Sequence, residues 1–377
     1  MPLSHRPVRR TAARIASLGV VATLLVGVAA APVWADSIRD QQWHLGFLNV
    51  AEAHRYSQGE GVTVAVIDSG VDATHPDLTG NVLAGTETFA GGTGDGQTDM
   101  DGHGTGTAGL IAGHGHGPGN TAGALGIAPK ARILPIRTTS QSESDHAAIA
   151  RGIDYAVAHH ATVICIAISS QDFDDERLAT QTALAAGVVV VAGVGNKPYD
   201  LLVAHPAAYP GVVAAAGVDQ DGNHAAISVT GPEAVLAAPA VQVVAPIPNG
   251  HYGIGDGTSN ATAIIAGAAA LVRSRYPSLS GTEVVRRLTT TAIDKGTTGR
   301  DKEYGYGVLN LVDALTKDLP PPSPSAQPSP TDRAGTAGPD PNQPHTALAI
   351  GLIGTGGLIL LTTIVAGTVW LRRRPAG

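Results

Sequence analysis

The chain has 377 residues, 43% of them hydrophobic and 15% charged, with 48 glycines, 4% aromatics and one cysteine. That length fills one large core or two modest ones. The formal charge of −7 and the scarcity of aromatic rings exclude a nucleic-acid reader, which needs a basic face and stacking side chains, and a lone cysteine excludes both an intrachain disulfide and a cysteine-built metal site.

Residues 1–35 carry Arg6, Arg9, Arg10 and Arg14 and no acid, and 15–31 is largely apolar. Val33-Trp34-Ala35 has the small residues of a cleavage site before Asp36, so 1–35 reads as a secretory signal peptide. Residues 36–318 read as one domain. Within it the runs 61–67, 131–137, 163–168, 188–194 and 212–218 are apolar at both alternating positions, which predicts strands covered on both faces. Helix-like stretches at 144–160 and 176–186 lie between them. The alternation predicts an α/β fold, a mostly parallel central sheet flanked by helices on both faces. Cys165 falls inside the third run and reads as a buried strand residue.

Beyond the domain, 319–345 is a linker containing Pro320, Pro321, Pro322 and Pro324. It lacks the apolar residues to bury a core and favours extended polyproline conformations. Residues 346–371 carry no charge, and about 20 apolar residues suffice to span a bilayer. Arg372, Arg373 and Arg374 follow at once. The positive-inside rule then puts the tail 372–377 in the cytoplasm and the domain on the other side of a single-pass cell membrane anchor. Basic clusters at both ends and an acidic middle point to membrane targeting, not to a polyanionic partner.

Three local patterns carry chemistry. Asp68 follows the first apolar run, where open α/β sheets place their sites, although a lone aspartate there also makes a turn. His103 stands between glycines in Asp101-Gly102-His103-Gly104. It is exposed to act as a base, or is incidental to a glycine loop. His114 and His116 lie in a similar loop and offer a weaker metal reading, because such a loop does not enforce ligand geometry. Ser259 precedes a helix-like run, where unpaired N–H groups and the helix dipole favour negative charge, and where serine also caps. Together the three supply a hydroxyl nucleophile, its base and the carboxylate that orients the base. Their chain order of Asp, His and Ser is that of subtilisin.

On these residues the chain resembles the subtilisin family of serine proteases over 62–315. Asp68-Ser69-Gly70, His103-Gly104-Thr105 and Gly257-Thr258-Ser259 match its Asp, His and Ser motifs. Gly126-Ile127-Ala128-Pro129-Lys130-Ala131, the run 190–196 ending in Asn196, and Gly305-Tyr306-Gly307-Val308-Leu309-Asn310 match in order. The resemblance implies a subtilisin-like fold and an endopeptidase acting on protein or peptide substrates through an acyl-enzyme. Asp68, His103 and Ser259 would be its triad. Asn196, with the backbone N–H of Ser259, would form the oxyanion hole, and Ala167, Ile168 and Ser169 would bind substrate backbone. No cofactor is implied. A calcium site at Asp95, Asp99 and Asp101 is left open.

The chain departs from the family pattern at Gly106, where a second histidine is usual, and at Asn260 and Ala263, where an apolar residue and proline are usual. Ala167 and Ser169 replace a Ser and a Gly in the substrate strand. Those at Asn260, Ala263 and 167–170 carry the alternative reading, a catalytically weak or inactive scaffold of the same fold within a membrane secretion complex. Gln42-Trp43-His44-Leu45 begins the domain soon after the signal peptide, leaving no room for a long folding prodomain. With the proline-rich spacer and terminal helix, this resembles the mycosins, implying type VII secretion components as partners.

Overall fold

The computed structural model describes residues 37–139 and 147–320. The chain opens with three short helices, α1 (Ser37–Gln41), α2 (Trp43–Phe47) and α3 (Val50–Ala53). Strands β1 (Thr63–Asp68) and β2 (Thr86–Glu87) precede α4 (His103–Ala112). A hairpin of β3 (His114–His116) and β4 (Ala122–Leu125) leads to β5 (Arg132–Arg137). Then come α5 (Ala147–Ala158), β6 (Val163–Ile166), α6 (Asp174–Ala185), β7 (Val189–Gly193), β8 (Val213–Val218) and β9 (Leu236–Pro239). A second hairpin, β10 (Val243–Ile247) and β11 (His251–Gly255), precedes α7 (Thr258–Arg275), α8 (Gly281–Thr290) and α9 (Leu311–Thr316).

The sheet has seven strands in the order β2-β5-β1-β6-β7-β8-β9, and each neighbouring pair is parallel. Strand periodicity explains why its apolar runs are continuous. Val64, Val66 and Cys165 face one core, beneath α4 and α7, while Ala65, Ile67, Ile164 and Ile166 face the other, beneath α5 and α6. Cys165 is a buried free thiol, pushed up in pKa by burial. Helix α7 is apolar on all sides because it is enclosed, packing on α4 and on the strands from β6 to β9.

The expected run 163–168 forms ladder only to Ile166. Its partner β1 ends one residue beyond the Ile67–Ile166 pair, and Ser170 pairs instead with His205 in an antiparallel bridge. The helix expected at 144–160 is described from Ala147 and ends at Ala158, and that expected at 176–186 begins earlier, at Asp174. Among the described residues no helix is long and apolar enough to cross a membrane. The expected signal peptide 1–35, the segment 346–371, the tail 372–377 and nearly all of the linker lie outside the described residues.

The chain leaves β1 toward β5 on one side of the sheet and continues from β6 toward β9 on the other. The connections therefore diverge between β1 and β6, and open α/β sheets bind ligands outside the carboxyl ends of strands at such a point.

Candidate active site

Asp68 ends β1 and is fully buried. Its Oδ1 accepts from Ser69 N at 2.7 Å and from His103 Nδ1 at 2.8 Å. Its Oδ2 lies 3.0 Å from the same ring nitrogen and accepts from Thr107 Oγ1 at 3.3 Å. Thr107 stands four residues after His103 on α4, so both side chains share the helix face turned to β1. The approach depends on Gly104, because a Cβ there would overlap Gly70 O and lie 3.2 Å from Asp68 Cβ.

Asp99 organises the turn that starts α4. Its Oδ1 accepts from Ser69 Oγ at 2.9 Å, Asp101 N at 3.1 Å and Gly102 N at 2.9 Å. Its Oδ2 accepts from Thr105 N at 2.9 Å and Thr105 Oγ1 at 2.6 Å. Ser69 Oγ in turn accepts from Gly104 N at 2.9 Å. This carboxylate couples the residue after Asp68 to the first turn of α4, where negative charge also suits the helix dipole. Asp101 Oδ1 accepts from His103 N at 3.3 Å and Asp95 Oδ1 from Gln97 N at 3.1 Å. Asp95 and Asp101 thus accept from within their own loop, while Asp99 also ties that loop to Ser69. Among the described residues no group of three or more His, Cys, Asp or Glu side chains is arranged to hold a metal ion. His114 points both ring nitrogens at carbonyls, of Gly115 and Thr79, and His116 pairs with the buried Asp77 at 2.6 Å.

The Asp68 carboxylate raises the His103 pKa from its ordinary value to about 9; burial opposes this, and Asp101 and Asp99 add to it. The ring remains 34% exposed.

Ser259 is the second residue of α7. The first turn of that helix is held by Asn196, whose Oδ1 accepts from Thr258 N at 2.9 Å. Asn196 is itself fixed through its backbone N–H, which donates to Asp200 Oδ2 at 2.8 Å. With Oδ1 so occupied, the amide nitrogen is the donor that Asn196 can still offer. A Cβ on Gly257 would lie 2.8 Å from Ser259 Oγ and 3.9 Å from Asn196 Nδ2, so both groups border the same small space. Asn260, polar where the family is apolar, has partners: its amide donates to Ala240 O and Gly255 O, each at 3.1 Å.

Asp68 ends β1, and Asn196 lies just past the end of β7, two strands away, about 10 Å at the usual strand spacing. The two halves flank the end of β6, where Ala167 and Ile168 are half-buried and Ser169 is exposed. Among the hydrogen bonds of the described residues, none joins His103 Nε2 to Ser259 Oγ, a contact that in unliganded sites is often long. A groove of about 300 Å³ between α5 and α6, lined in part by Arg151, Asp154 and Leu178, holds none of these residues.

Sequence reasoning missed Thr107, Asp200 and the role of Asp99. Thr107 was within reach, because helix spacing from His103 places it on the same face. Asp200 acts through a backbone N–H in a loop, which no side-chain pattern announces.

The subtilase family model matches residues 59–307. The chain is 36% identical over 271 residues to the thermostable alkaline protease of Halalkalibacterium halodurans, covering 71% of this chain and 72% of that one. It is 34% identical over an alignment of 389 residues to mycosin-1 of Mycobacterium tuberculosis, covering 85% and 83%. Among solved structures, MycP1 from Mycobacterium smegmatis superposes with a TM-score of 0.66 at 28% identity, over 77% of this chain and 88% of that one. The MycP3 protease from the type VII (ESX-3) secretion system superposes with a TM-score of 0.64 at 30% identity, over 75% and 91%.

Proposed function

The chain belongs to the subtilase family and is related to the mycosins, and from that premise we propose that it is a membrane-anchored serine endopeptidase with its catalytic domain outside the cytoplasm. The observation that carries the catalytic reading is the pairing of buried Asp68 with both oxygens on His103 Nδ1, beside a helix start where Ser259 Oγ and Asn196 Nδ2 both border Gly257. The Asp68 bond fixes the imidazole tautomer, leaving Nε2 as the base. Ser259 Oγ attacks the scissile carbonyl as His103 takes its proton, and His103 returns that proton to the leaving amine. The tetrahedral oxyanion takes hydrogen bonds from Ser259 N and Asn196 Nδ2, at the positive end of α7. Water then attacks the acyl-enzyme with His103 again as base. Substrate backbone lies along Ala167, Ile168 and Ser169. No step calls for a cofactor.

The membrane reading rests on the uncharged segment 346–371 with its triple-arginine stop and on the signal peptide. Relatedness to mycosins, and to a protease described as part of a type VII secretion system, supports secretion components as partners. The full-length chain should fractionate with membranes and hydrolyse an unfolded protein such as casein. A folded chain with no hydrolysis between about pH 6 and 11 would favour the second reading, an inactive scaffold. The departures at Asn260, Ala263 and 167–170 are the observation on that side.

The base must be neutral to accept a proton. With His103 raised to about 9, kcat/KM should climb through neutral pH and level off only above about pH 9. A fluorogenic peptide assayed across pH checks this, and a plateau complete by pH 7 contradicts it. Gly257→Ala should displace Ser259 Oγ, which its Cβ would meet at 2.8 Å, and lower kcat/KM by about 10²-fold, the cost of misplacing a reacting group by about 1 Å. The same assay on protein of unchanged circular dichroism reads this out.

A further inference from the structure

Glu176 is a buried carboxyl that the proposed mechanism does not use. It lies in the first turn of α6 and is 0% exposed. Its Oε1 accepts from Ser170 Oγ at 2.8 Å, while Oε2 is buried and, among the described residues, has no hydrogen-bond partner. A carboxylate held this way is costly, because nothing replaces the water lost from the second oxygen. The neighbouring charges do not compensate it. Arg177 pairs with Asp172 and Asp174, and Asp172 and Asp175 face Glu176 with like charge. From the other side comes Tyr209, whose hydroxyl pairs with Phe173 N and O, with the His205 ring 4.6 Å from the Tyr209 ring. Burial raises the Glu176 carboxyl to about 7; the Ser170 bond opposes this, and Asp175 and Asp172 add to it.

Ser170 follows directly on Ala167, Ile168 and Ser169. Its single hydroxyl hydrogen has three acceptors in reach: Glu176 Oε1 at 2.8 Å, Gln171 O at 3.1 Å and His205 O at 3.2 Å. Its backbone N–H donates to His205 O at 2.8 Å. One residue back, Ala204 N donates to Val194 O at 3.0 Å, two residues before Asn196. Ser170 thus joins the strand end at 167–169 to the segment that runs beside the oxyanion side. When Glu176 is protonated, its O–H can donate to Ser170 Oγ, and the serine hydrogen then goes to a main-chain carbonyl. When Glu176 is ionised it can only accept, so it draws the serine hydrogen to itself.

We propose that Glu176 is a positioning residue for peptide binding: uncharged, it turns the Ser170 hydroxyl onto the main chain and holds 167–169 against the His205 segment, and charged, it withdraws that bond. The proposal rests on the endopeptidase reading for the identity of the ligand as a peptide, but not on turnover.

The test measures the Kd of a fluorescein-labelled casein peptide by anisotropy across pH. It uses the full-length chain with Ser259→Ala, alone and combined with Glu176→Gln. Kd for Ser259→Ala alone should rise by about threefold to tenfold as pH passes through 7, the worth of one hydrogen bond. With Glu176→Gln added it should stay at its low-pH value, because glutamine never ionises. A Kd that rises equally in both, or no peptide binding in either, overturns the proposal.

Thermal unfolding supplies a second reading. The folded-state pKa of Glu176 is raised to about 7 from an ordinary 4.5. Its contribution to stability is therefore fully present below the ordinary value and is lost as pH rises through 7. The melting temperature of the parent relative to Glu176→Gln should fall across that window, and a constant difference overturns the proposal. Hydrolysis by the unsubstituted chain, measured alongside, separates the two claims: titrating peptide affinity without hydrolysis supports the role of Glu176 and removes the endopeptidase.

Discussion

Replacing Ser259 with alanine is expected to lower kcat for peptide hydrolysis by about 10⁶-fold while leaving the fold intact, a magnitude taken from measurements on a subtilisin and not from this geometry. Among the described residues, Ser259 Oγ takes part in none of the hydrogen bonds that hold α7. The helix start is instead secured by Asn196 through Thr258 N and by the Thr262 hydroxyl, which donates to Thr258 O at 2.8 Å. The alanine variant should therefore melt near the parent temperature. His103→Ala should cost about as much activity, and the double variant hardly more than either alone, because nucleophile and base act as one unit. Comparing kcat for the parent, the two single variants and the double variant checks this. Additive losses would mean that the two side chains do not cooperate.

Removing the Asn196 side chain is expected to be the next most damaging change. Asn196→Ala should lower kcat by about 10² to 10³-fold with little change in KM, again the range seen in a subtilisin, because the lost amide serves the oxyanion and not the bound ground state. It should also cost about 1 kcal/mol of stability, since Thr258 N loses its acceptor. Asn196→Asp separates the two roles. The aspartate keeps an oxygen for Thr258 N, so the melting temperature should recover. It places negative charge where the oxyanion forms, so kcat should fall at least as far. Steady-state kinetics and thermal melts on both variants read this out. A normal kcat in Asn196→Asp would remove Asn196 from the oxyanion hole.

The sheet was legible because its strands are buried on both faces and so read as unbroken apolar runs. The run ending at Ile168 overreached, since apolarity continues past the point where β1 stops offering a ladder partner. Helices α1 to α3 have four or five residues each, too few for periodicity to emerge. The Leu-Ala-Ala-Pro sequence of β9 carries no β-branched or aromatic strand signal. Relatedness to the subtilases was legible from short motifs, because close backbone approach at Gly104, where a Cβ would overlap Gly70 O, leaves little choice of residue; relatedness to the mycosins was legible from the proline-rich spacer and the uncharged segment 346–371. Asp99 and Asp200 bond mainly to backbone N–H groups that any residue presents, and Glu176 depends on a serine that only the fold makes its neighbour.

The central claim is that Ser259 is a nucleophile activated by His103. Treating the full-length chain with a fluorophosphonate and locating the adduct by mass spectrometry tests it directly, because such a probe needs an activated hydroxyl but no knowledge of the substrate. A single adduct on Ser259, lost in His103→Ala, is the expected result. A folded parent chain that takes no label, or a label on Ser259 that persists unchanged in His103→Ala, would contradict it.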